Sequence, residues 1–253
     1  MNRDSVNAGK GRTLAVCLSC AIPGLGQIYN GEFVKGTSLF VILQALILIG
    51  YRCTVLLPDR MMLFGPVLLM LAAIVLYIIA ILDAYRNAST STASRLGGWY
   101  FYLAAWLVGY VIVGSAVFNY GITNYLQAFR IPTRSMEPAV LSGDRILADK
   151  TAYRRMAPKK SDVVIFVYPD DRSKMFIKRV EALPGDTITM PDGTKQKVPH
   201  GFIYVIGDNR ENSVDSRHFG FVPLSDVVGK ARQVYFSSGI EGIRWSRIGT
   251  PLS

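Results

Sequence analysis

An α-helical membrane module over residues 1–119, followed by a mostly-β, barrel-like antiparallel domain over residues 120–253, is the architecture written into the residue pattern of this chain. Three observations lead there. Half of the 253 residues are hydrophobic and only 18% are charged, where an ordinary globular chain carries about 25% charged residues. The apolar excess lies almost wholly before residue 120, in segments near 13–30, 37–57, 61–82 and 96–118, and the last three match the roughly 20 residues that cross a bilayer core. Beyond residue 120 the pattern changes to short β-type runs divided by Gly, Pro, Asp and Asn, the spacing of a small antiparallel sheet domain.

Residues 1–12 are polar and basic and carry no feature of a folded element. The run 13–30 is broken at Pro23-Gly24-Leu25-Gly26, a turn signal, so a short span, a re-entrant segment and an interfacial helix all remain open for it. Gly26 to Gly36 reads as the linker of a membrane helical hairpin, and PGLGQIYNGEFVKG resembles the opening of the small two-helix TM2-type membrane module. The span 37–57 is interrupted by Gln44 and Arg52, whereas Met61 to Leu82 carries no charge at all. The span 96–118 has Trp99, Tyr100 and Tyr102 near its start and Tyr120 just past its end, the placement of interfacial anchors.

Arg3, Lys10 and Arg12 precede the first apolar run, and Arg86 and Arg95 stand in the loop before the last span. The positive-inside rule puts both groups in the cytoplasm, with an even number of crossings between them. Crossings at 37–57 and 61–82 satisfy this, whereas four true spans would place the N-terminus outside. Either count leaves residues 120–253 extracytoplasmic, on the outer, periplasmic side of a multi-pass protein.

The net charge of +10 divides as +4 before residue 120 and +6 after it. Acids are interleaved throughout and no nucleic-acid motif is present, so the basicity suits anionic lipid headgroups as partner rather than nucleic acid. Cys17, Cys20 and Cys53 all lie in the apolar half. The C-x-x-C pair lacks the βα context of a redox motif and the second ligand pair of a zinc site, so these cysteines read as small apolar residues. The second half has no cysteine, hence no disulfide and no thiol nucleophile.

The strand candidates are Arg145–Leu147, Val163–Tyr168, Phe176–Leu183, Thr187–Met190, Phe202–Ile206 and Ala231–Phe236. Between them stand turn signals such as Ser142-Gly143-Asp144 and Pro184-Gly185-Asp186. No helix of ordinary length is expected there.

Ser135 sits between Pro132 and Pro138, which disfavour a continuous helix and leave a small hydroxyl on a turning path. Two histidines are available to activate it, His200 and His218, and a Ser/His/Asp arrangement through His218 stays open. A second candidate base is Lys178. With period-two alternation it shares a strand face with Phe176 and Val180, and burial there would lower its pKa and leave a neutral amine able to accept a hydroxyl proton. The alternative is a lysine with its charge in water. In Tyr204 to Pro223, acids, arginines, asparagines and serines crowd together, either as a solvated loop or as a buried network pairing Asp215 with Arg217, with Ser213 orienting a neighbouring amine.

Four blocks in order resemble the bacterial type I signal peptidases, membrane-bound Ser/Lys serine proteases that remove signal peptides from exported proteins. They are FRIPTRSMEPAVLSGD at 129–144, DVVIFVYP at 162–169, FIKRVEALPGD at 176–186 and VPHGFIYVIGDNRENSVDSRHFGFVP at 198–223. The tail VGKARQVYFS and GIRWSRIG adds to the likeness, which covers roughly residues 125–250. The resemblance implies Ser135 as nucleophile and Lys178 as general base. It implies that Thr133, with the Ser135 N–H, stabilises the oxyanion, that Ser213 holds the Lys178 amine, and that Asp215 and Arg217 brace the loop. Phe129, Ile131, Met136, Phe176 and Ile177 match positions lining shallow apolar pockets for small side chains, which fits A-x-A-like cleavage sites. The resemblance implies preprotein signal peptides as partners, the secretion machinery as a further candidate, no metal or organic cofactor, and the bacterial cytoplasmic (inner) membrane as location.

The sequence departs from the family at Glu181-Ala182, where an apolar residue and glycine are usual, and at Ala139, where threonine is common. The short interval from Asp186 to Val198 implies a minimal signal-peptidase-like fold without the large β insertion. Two other readings stay open: a non-catalytic membrane scaffold or binding module, and a dedicated single-client or self-cleaving Ser/Lys peptidase.

Overall fold

A computed structural model describes residues 3–88, 99–154, 156–190 and 193–252. The chain divides into two compact units: residues 1–53 with 64–121, and residues 54–63 with 122–253.

The first unit is helical, with α1 Arg3–Ala21, α2 Leu25–Tyr29, α3 Phe33–Leu56, α4 Phe64–Asn87 and α5 Trp99–Asn124. Helix α1 begins well inside the polar stretch that carries no sequence sign of a folded element. Extending a helix costs far less than nucleating one, so the apolar run that follows can carry the polar residues into helical form. The break at Pro23-Gly24 is present, with Gly24 in the left-handed region at φ 94. A Cβ there would collide with the Gly36 carbonyl.

The segment Gly26 to Gly36 joins α1 to α3 but is itself largely helical. It holds most of α2, which is fixed to α4, and then the first turn of α3. Gln27 Nε2 donates to the Ala80 carbonyl at 2.6 Å and Asn30 Nδ2 to the Ala84 carbonyl at 3.0 Å, which satisfies buried amides where water is scarce. Helices α3 and α4 are long and apolar enough to cross a membrane; the apolar stretch Trp106–Gly121 of α5 is shorter, and the apolar part of α1, Arg12–Ala21, is shorter still. At 1.5 Å per residue that stretch covers about 15 Å of a roughly 30 Å core. Arg95 lies outside the described residues, as do the side chains of Trp99, Tyr100 and Tyr102.

The second unit is a curled antiparallel sheet. Its strands are β1 Leu126–Arg130, β2 Asp144–Asp149, β3 Val163–Val167, β4 Met175–Ala182, β5 Thr187–Thr189, β6 Lys195–Lys197, β7 Phe202–Ile206, β8 Val222–Pro223, β9 Val227–Gly239 and β10 Gly242–Ile243. The main sheet runs β1-β2-β9-β3-β4-β7-β8, with β10 on β9. Among the described residues, the interval from Asp186 to Val198 holds the β5–β6 hairpin and no further strand. A four-residue helix, α6 Ser216–Phe219, follows β7.

Each strand candidate falls on a strand, but β9 is far longer than its apolar centre, and β1, β6, β8 and β10 carry no sequence signal. Strand β1 follows α5 with a single intervening residue and no turn motif. Its extended form comes from pairing with β2, Leu126 opposite Asp149 and Arg130 opposite Arg145.

Strand β3 shows why the core sits where it does. Its alternate residues enter two clusters: Val163 and Ile165 join Ile131, Met136, Val140, Ile146 and Ile177, while Val164 and Phe166 join Val180, Ile203, Val205 and Val222. A strand buried on both faces reads as a continuous apolar run, as VVIFV does.

The loop from β1 to β2 carries Ser135 and is pinned by Asp144, which is fully buried. Its carboxylate accepts from Ser237 Oγ at 2.6 Å, the Leu141 N–H at 2.9 Å and an Arg247 guanidinium nitrogen at 2.6 Å. The same guanidinium donates to the Ala139 carbonyl at 2.8 Å. Asp144→Ala leaves Arg247 without its buried counter-ion, and the expected loss is about 3–5 kcal/mol of stability in the β unit. Thermal unfolding in detergent followed by circular dichroism checks this, and an unchanged Tm contradicts it.

Candidate active site

Ser135 lies four residues past Ile131, where the chain leaves β1. The loop is closed by main-chain bonds, Ile131 N–H to the Asp144 carbonyl at 2.9 Å and Gly143 N–H to the Ile131 carbonyl at 2.8 Å. Met136 and Val140 anchor its underside in the core. Ser135 is itself buried, and Thr133 Oγ1 stands 3.4 Å from Ser135 Oγ. Among the described residues no main-chain carbonyl accepts the Ser135 N–H.

Lys178 comes from the middle of β4, opposite Val164 of β3. It is 3% exposed. Its Nζ donates to Ser135 Oγ at 2.8 Å and to the Ile177 carbonyl at 2.9 Å, and it lies 5.3 Å from the centre of the Phe176 ring. Phe176 is stacked on Tyr168 at 4.2 Å and meets Phe166 and Phe219 edge-on, so the amine has an aromatic floor. Burial in these apolar surroundings pulls the Lys178 pKa down to about 8, against the weaker opposing pull of the Asp215 and Asp208 carboxylates.

Those carboxylates are turned toward arginines. Asp215 is fully buried and accepts from Arg217 Nε at 2.9 Å and from the Gly207 N–H at 3.0 Å. Burial opposes its ionisation, but the Arg217 side chain and the backbone donors outweigh it and hold the pKa down to about 2. Asp208 forms a two-pronged pair with Arg179 of β4, both contacts at 2.8 Å. With each acid engaged by its own guanidinium, neither makes a direct ion pair with Lys178, so the amine can be neutral near pH 8.

The loop after β7 also reaches Ser135. The Asn209 N–H donates to the Ser135 carbonyl at 3.2 Å, and its side-chain amide donates to the Arg134 carbonyl at 3.1 Å. Gly207 permits this approach, since a Cβ there would stand 2.5 Å from the Ser135 carbonyl. Phe219 of α6 packs on Phe166 and Tyr168 and fixes the far end of the loop.

A cleft of about 390 Å³ opens over Ser135 and Lys178 and is lined by Phe129, Ile131, Phe176 and Ile177 among others. Strand β4 pairs with β7 only from Arg179 onward, so among the described residues Met175–Lys178 has one edge without a strand partner.

Two expected placements differ. Met136 does not line the cleft. It is fully buried in the core cluster, because it directly follows the turn that exposes Ser135 to the cleft and points the opposite way. Ser213 makes no hydrogen bond to the lysine. Its Oγ is buried without a hydrogen-bond partner, although it lies near enough to Asp215 to add to the lowering of that carboxyl's pKa. The Ile177 carbonyl holds the amine instead.

His218 turns its ring back to accept from the Asp215 N–H at 3.5 Å, completing the cap of α6, and is well exposed. Among the described residues, the side chains within hydrogen-bonding reach of Ser135 Oγ are Lys178 and Thr133. His200 is exposed in the turn after β6. Asn209, Arg179, Asp208 and Arg247 escaped the sequence reading. The one available signal for them was a charge inside an apolar strand, Arg179 in β4, with the acid Asp208 just past β7 to pair with it.

The family model described as "Signal peptidase, peptidase S26" matches residues 102–195 and 191–236. A probable signal peptidase I-1 of Synechocystis sp. is 32% identical over 149 residues, 47% of this chain and 74% of its own. The signal peptidase I of Leptolyngbya laminosa is 31% identical over 148 residues, 46% of this chain and 72% of its own. A chloroplastic thylakoidal processing peptidase 1 of Arabidopsis thaliana is 32% identical over 133 residues, 40% of this chain and 39% of its own.

The depressed Lys178 pKa has two measurable consequences. The unfolded chain keeps this lysine protonated up to 10.5, whereas the folded protein releases the proton near 8. Below pH 8 the buried ammonium therefore destabilises the fold, by about 3 kcal/mol for that difference, and the destabilisation is relieved as pH rises toward 10.5. Lys178→Met is expected to raise Tm at pH 7 and to lose that advantage toward pH 10.5, and a pH-independent difference contradicts it. If the neutral amine is the working form, kcat/KM for any peptide cleaved at Ser135 rises with pH and levels off above about 8.

Proposed function

The chain belongs to the signal peptidase family, peptidase S26, and on that premise we propose that Ser135 is its nucleophile and Lys178 its general base. The protein is a membrane signal peptidase, a serine endopeptidase that cleaves signal peptides. The observation that carries the residue assignment is the 2.8 Å contact between Lys178 Nζ and Ser135 Oγ, with both groups buried.

The substrate lies extended in the cleft, its main chain beside the open edge at Met175–Lys178, as a strand added to a sheet. Side chains flanking the scissile bond meet Phe129, Ile131, Phe176 and Ile177, whose bulk leaves room for small residues only. Ser135 Oγ attacks the scissile carbonyl as the neutral Lys178 amine takes its proton. The oxyanion of the tetrahedral intermediate accepts from the uncommitted Ser135 N–H and the Thr133 hydroxyl. Lys178 then protonates the leaving amine, and the acyl-enzyme is hydrolysed by a water that Lys178 deprotonates. The Ile177 carbonyl keeps Nζ on the serine, Asn209 fixes the peptide unit after Ser135, and Asp215 with Arg217 holds the loop behind them. Ser213 supports that loop through its contact with Gly207 and Asp215.

The location is the bacterial cytoplasmic membrane, crossed more than once, with the β unit on the outer side. Two crossings by α3 and α4, with α1 too short to add another, return the chain to the side of the N-terminal basic residues at Arg86. Helix α5 then crosses outward. Preprotein signal peptides are the substrates, presented from the bilayer.

Ser135→Ala and Lys178→Ala are each expected to lower preprotein cleavage in detergent by roughly three orders of magnitude or more, measured with the cut site mapped by mass spectrometry. Processing near the wild-type rate in either variant sinks the assignment. Thr133→Val is expected to lower kcat about a hundredfold with little change in KM, and Thr133→Ser to restore most of it.

A further inference from the structure

The connection between α3 and α4 is not part of the helical unit. Residues 54–63 belong to the same compact unit as the sheet, and Met62 is fully buried. Arg232 of β9 is the centre of the attachment. Its guanidinium donates to the Leu57 carbonyl at 2.7 Å and the Val55 carbonyl at 3.4 Å, pairs with Asp59, and donates to Asp149 of β2 at 2.9 Å. The neighbouring Gln233 side chain accepts from the Leu63 N–H at 3.2 Å and donates to the Gly249 carbonyl at 2.7 Å. The carbonyls left open at the end of α3 are thus satisfied by the sheet's own arginine.

The other covalent entry into the unit, from α5 into β1, is held at the same end of the sheet. Arg154 donates to the Asn124 carbonyl at 2.8 Å, and the Lys150 N–H to the Tyr125 carbonyl at 2.9 Å. Leu126 is opposite Asp149, and Asp149 is opposite Lys230, so Asp149 stands between the two attachments. The loop bearing Ser135 leaves the opposite end of β1, five residues away, about 16 Å along a strand.

We infer that the α3–α4 turn is a second membrane tether of the catalytic unit, that Arg232 and Asp59 are its positioning residues, and that the two tethers together set which bond of a membrane-held preprotein reaches Ser135. A body on one tether can swivel. Two separate tethers on one end remove that freedom, and the nucleophile then sits a fixed strand length from the tethered end. A soluble peptide does not feel this constraint, because it enters the cleft from any direction. A preprotein anchored by its apolar segment does. The inference rests on the reading of Ser135 and Lys178 as the cleavage machinery, and it gives the extra N-terminal helices a role in site selection.

The test compares full-length wild type, Asp59→Ala and Asp59→Glu in liposomes. Asp59→Ala removes the ion pair and loosens the turn, which keeps its carbonyl contacts to Arg232 and the Leu63 bond to Gln233, while Arg232 keeps Asp149. Two substrates are used, a preprotein inserted in the same liposomes and a short soluble peptide spanning the same cleavage site. Asp59→Ala is expected to leave kcat/KM for the peptide within about twofold. It lowers preprotein processing about tenfold or more, since misplacement by an ångström costs up to a hundredfold, and spreads the cut over neighbouring bonds. Asp59→Glu restores a single cut. Equal loss on both substrates means the contact only stabilises the fold, and no loss on either means the tether is idle; each overturns the inference. Loss of peptide cleavage in Ser135→Ala checks the underlying enzyme reading separately. Hydrogen exchange of residues 54–63 reads the docking without any substrate. Protection in wild type that falls in Asp59→Ala supports it, and equal exchange in both overturns it.

Discussion

A lysine amine buried against a serine hydroxyl is the constraint on which the rest of the β unit depends. An ammonium removed from water and given no carboxylate partner is unfavourable, and the fold accepts it because the amine can shed its proton near pH 8. The neighbouring chemistry follows from keeping that state available. Asp215 and Asp208 would stabilise the ammonium if free, so each is bound by an arginine from its own surroundings. The aromatic group of Phe166, Tyr168, Phe176 and Phe219 excludes water from beneath the amine and at the same time fastens the loop that carries Asp215.

Ser135, the proposed nucleophile, is held by a different device. Ser135 sits in a loop with no regular hydrogen-bond ladder, so its position is imposed by groups that reach in from three directions. Asp144 and Arg247 fix the loop's far limb, Asn209 fixes the peptide units on either side of Ser135 N and C, and Met136 fills the core below. None of these touches the hydroxyl. Among the described residues no main-chain carbonyl accepts the Ser135 N–H, which suits an oxyanion site, since preorganised donors stabilise developing charge without reorganisation.

The strand pattern was legible because period-two burial is a local property: VVIFV, FIKRVEA and FIYVI declare themselves by alternation and by the turns that bound them. Lys178 could be placed on the face of Phe176 and Val180 for the same reason. Strand β1 could not be read, since LQAFR becomes a strand only through β2. Helix α1 could not be read at its polar start, since its residues follow a helix nucleated further on. The GQIYN stretch hid a docked helix because its amides are satisfied by carbonyls of α4, more than fifty residues away.

By itself the sequence determined the order of the apolar segments, the change to β patterning after residue 120, and, through blocks resembling a known family, which serine and lysine to propose, because these depend on neighbours along the chain. The tertiary structure alone decided that the lysine is buried enough to lose its proton near pH 8, that its second partner is the Ile177 carbonyl rather than Ser213, that Met136 belongs to the core, and that the α3–α4 turn is joined to the sheet through Arg232. Each of these turns on desolvation or on a contact between residues far apart in sequence, and neither is fixed until the chain has closed on itself.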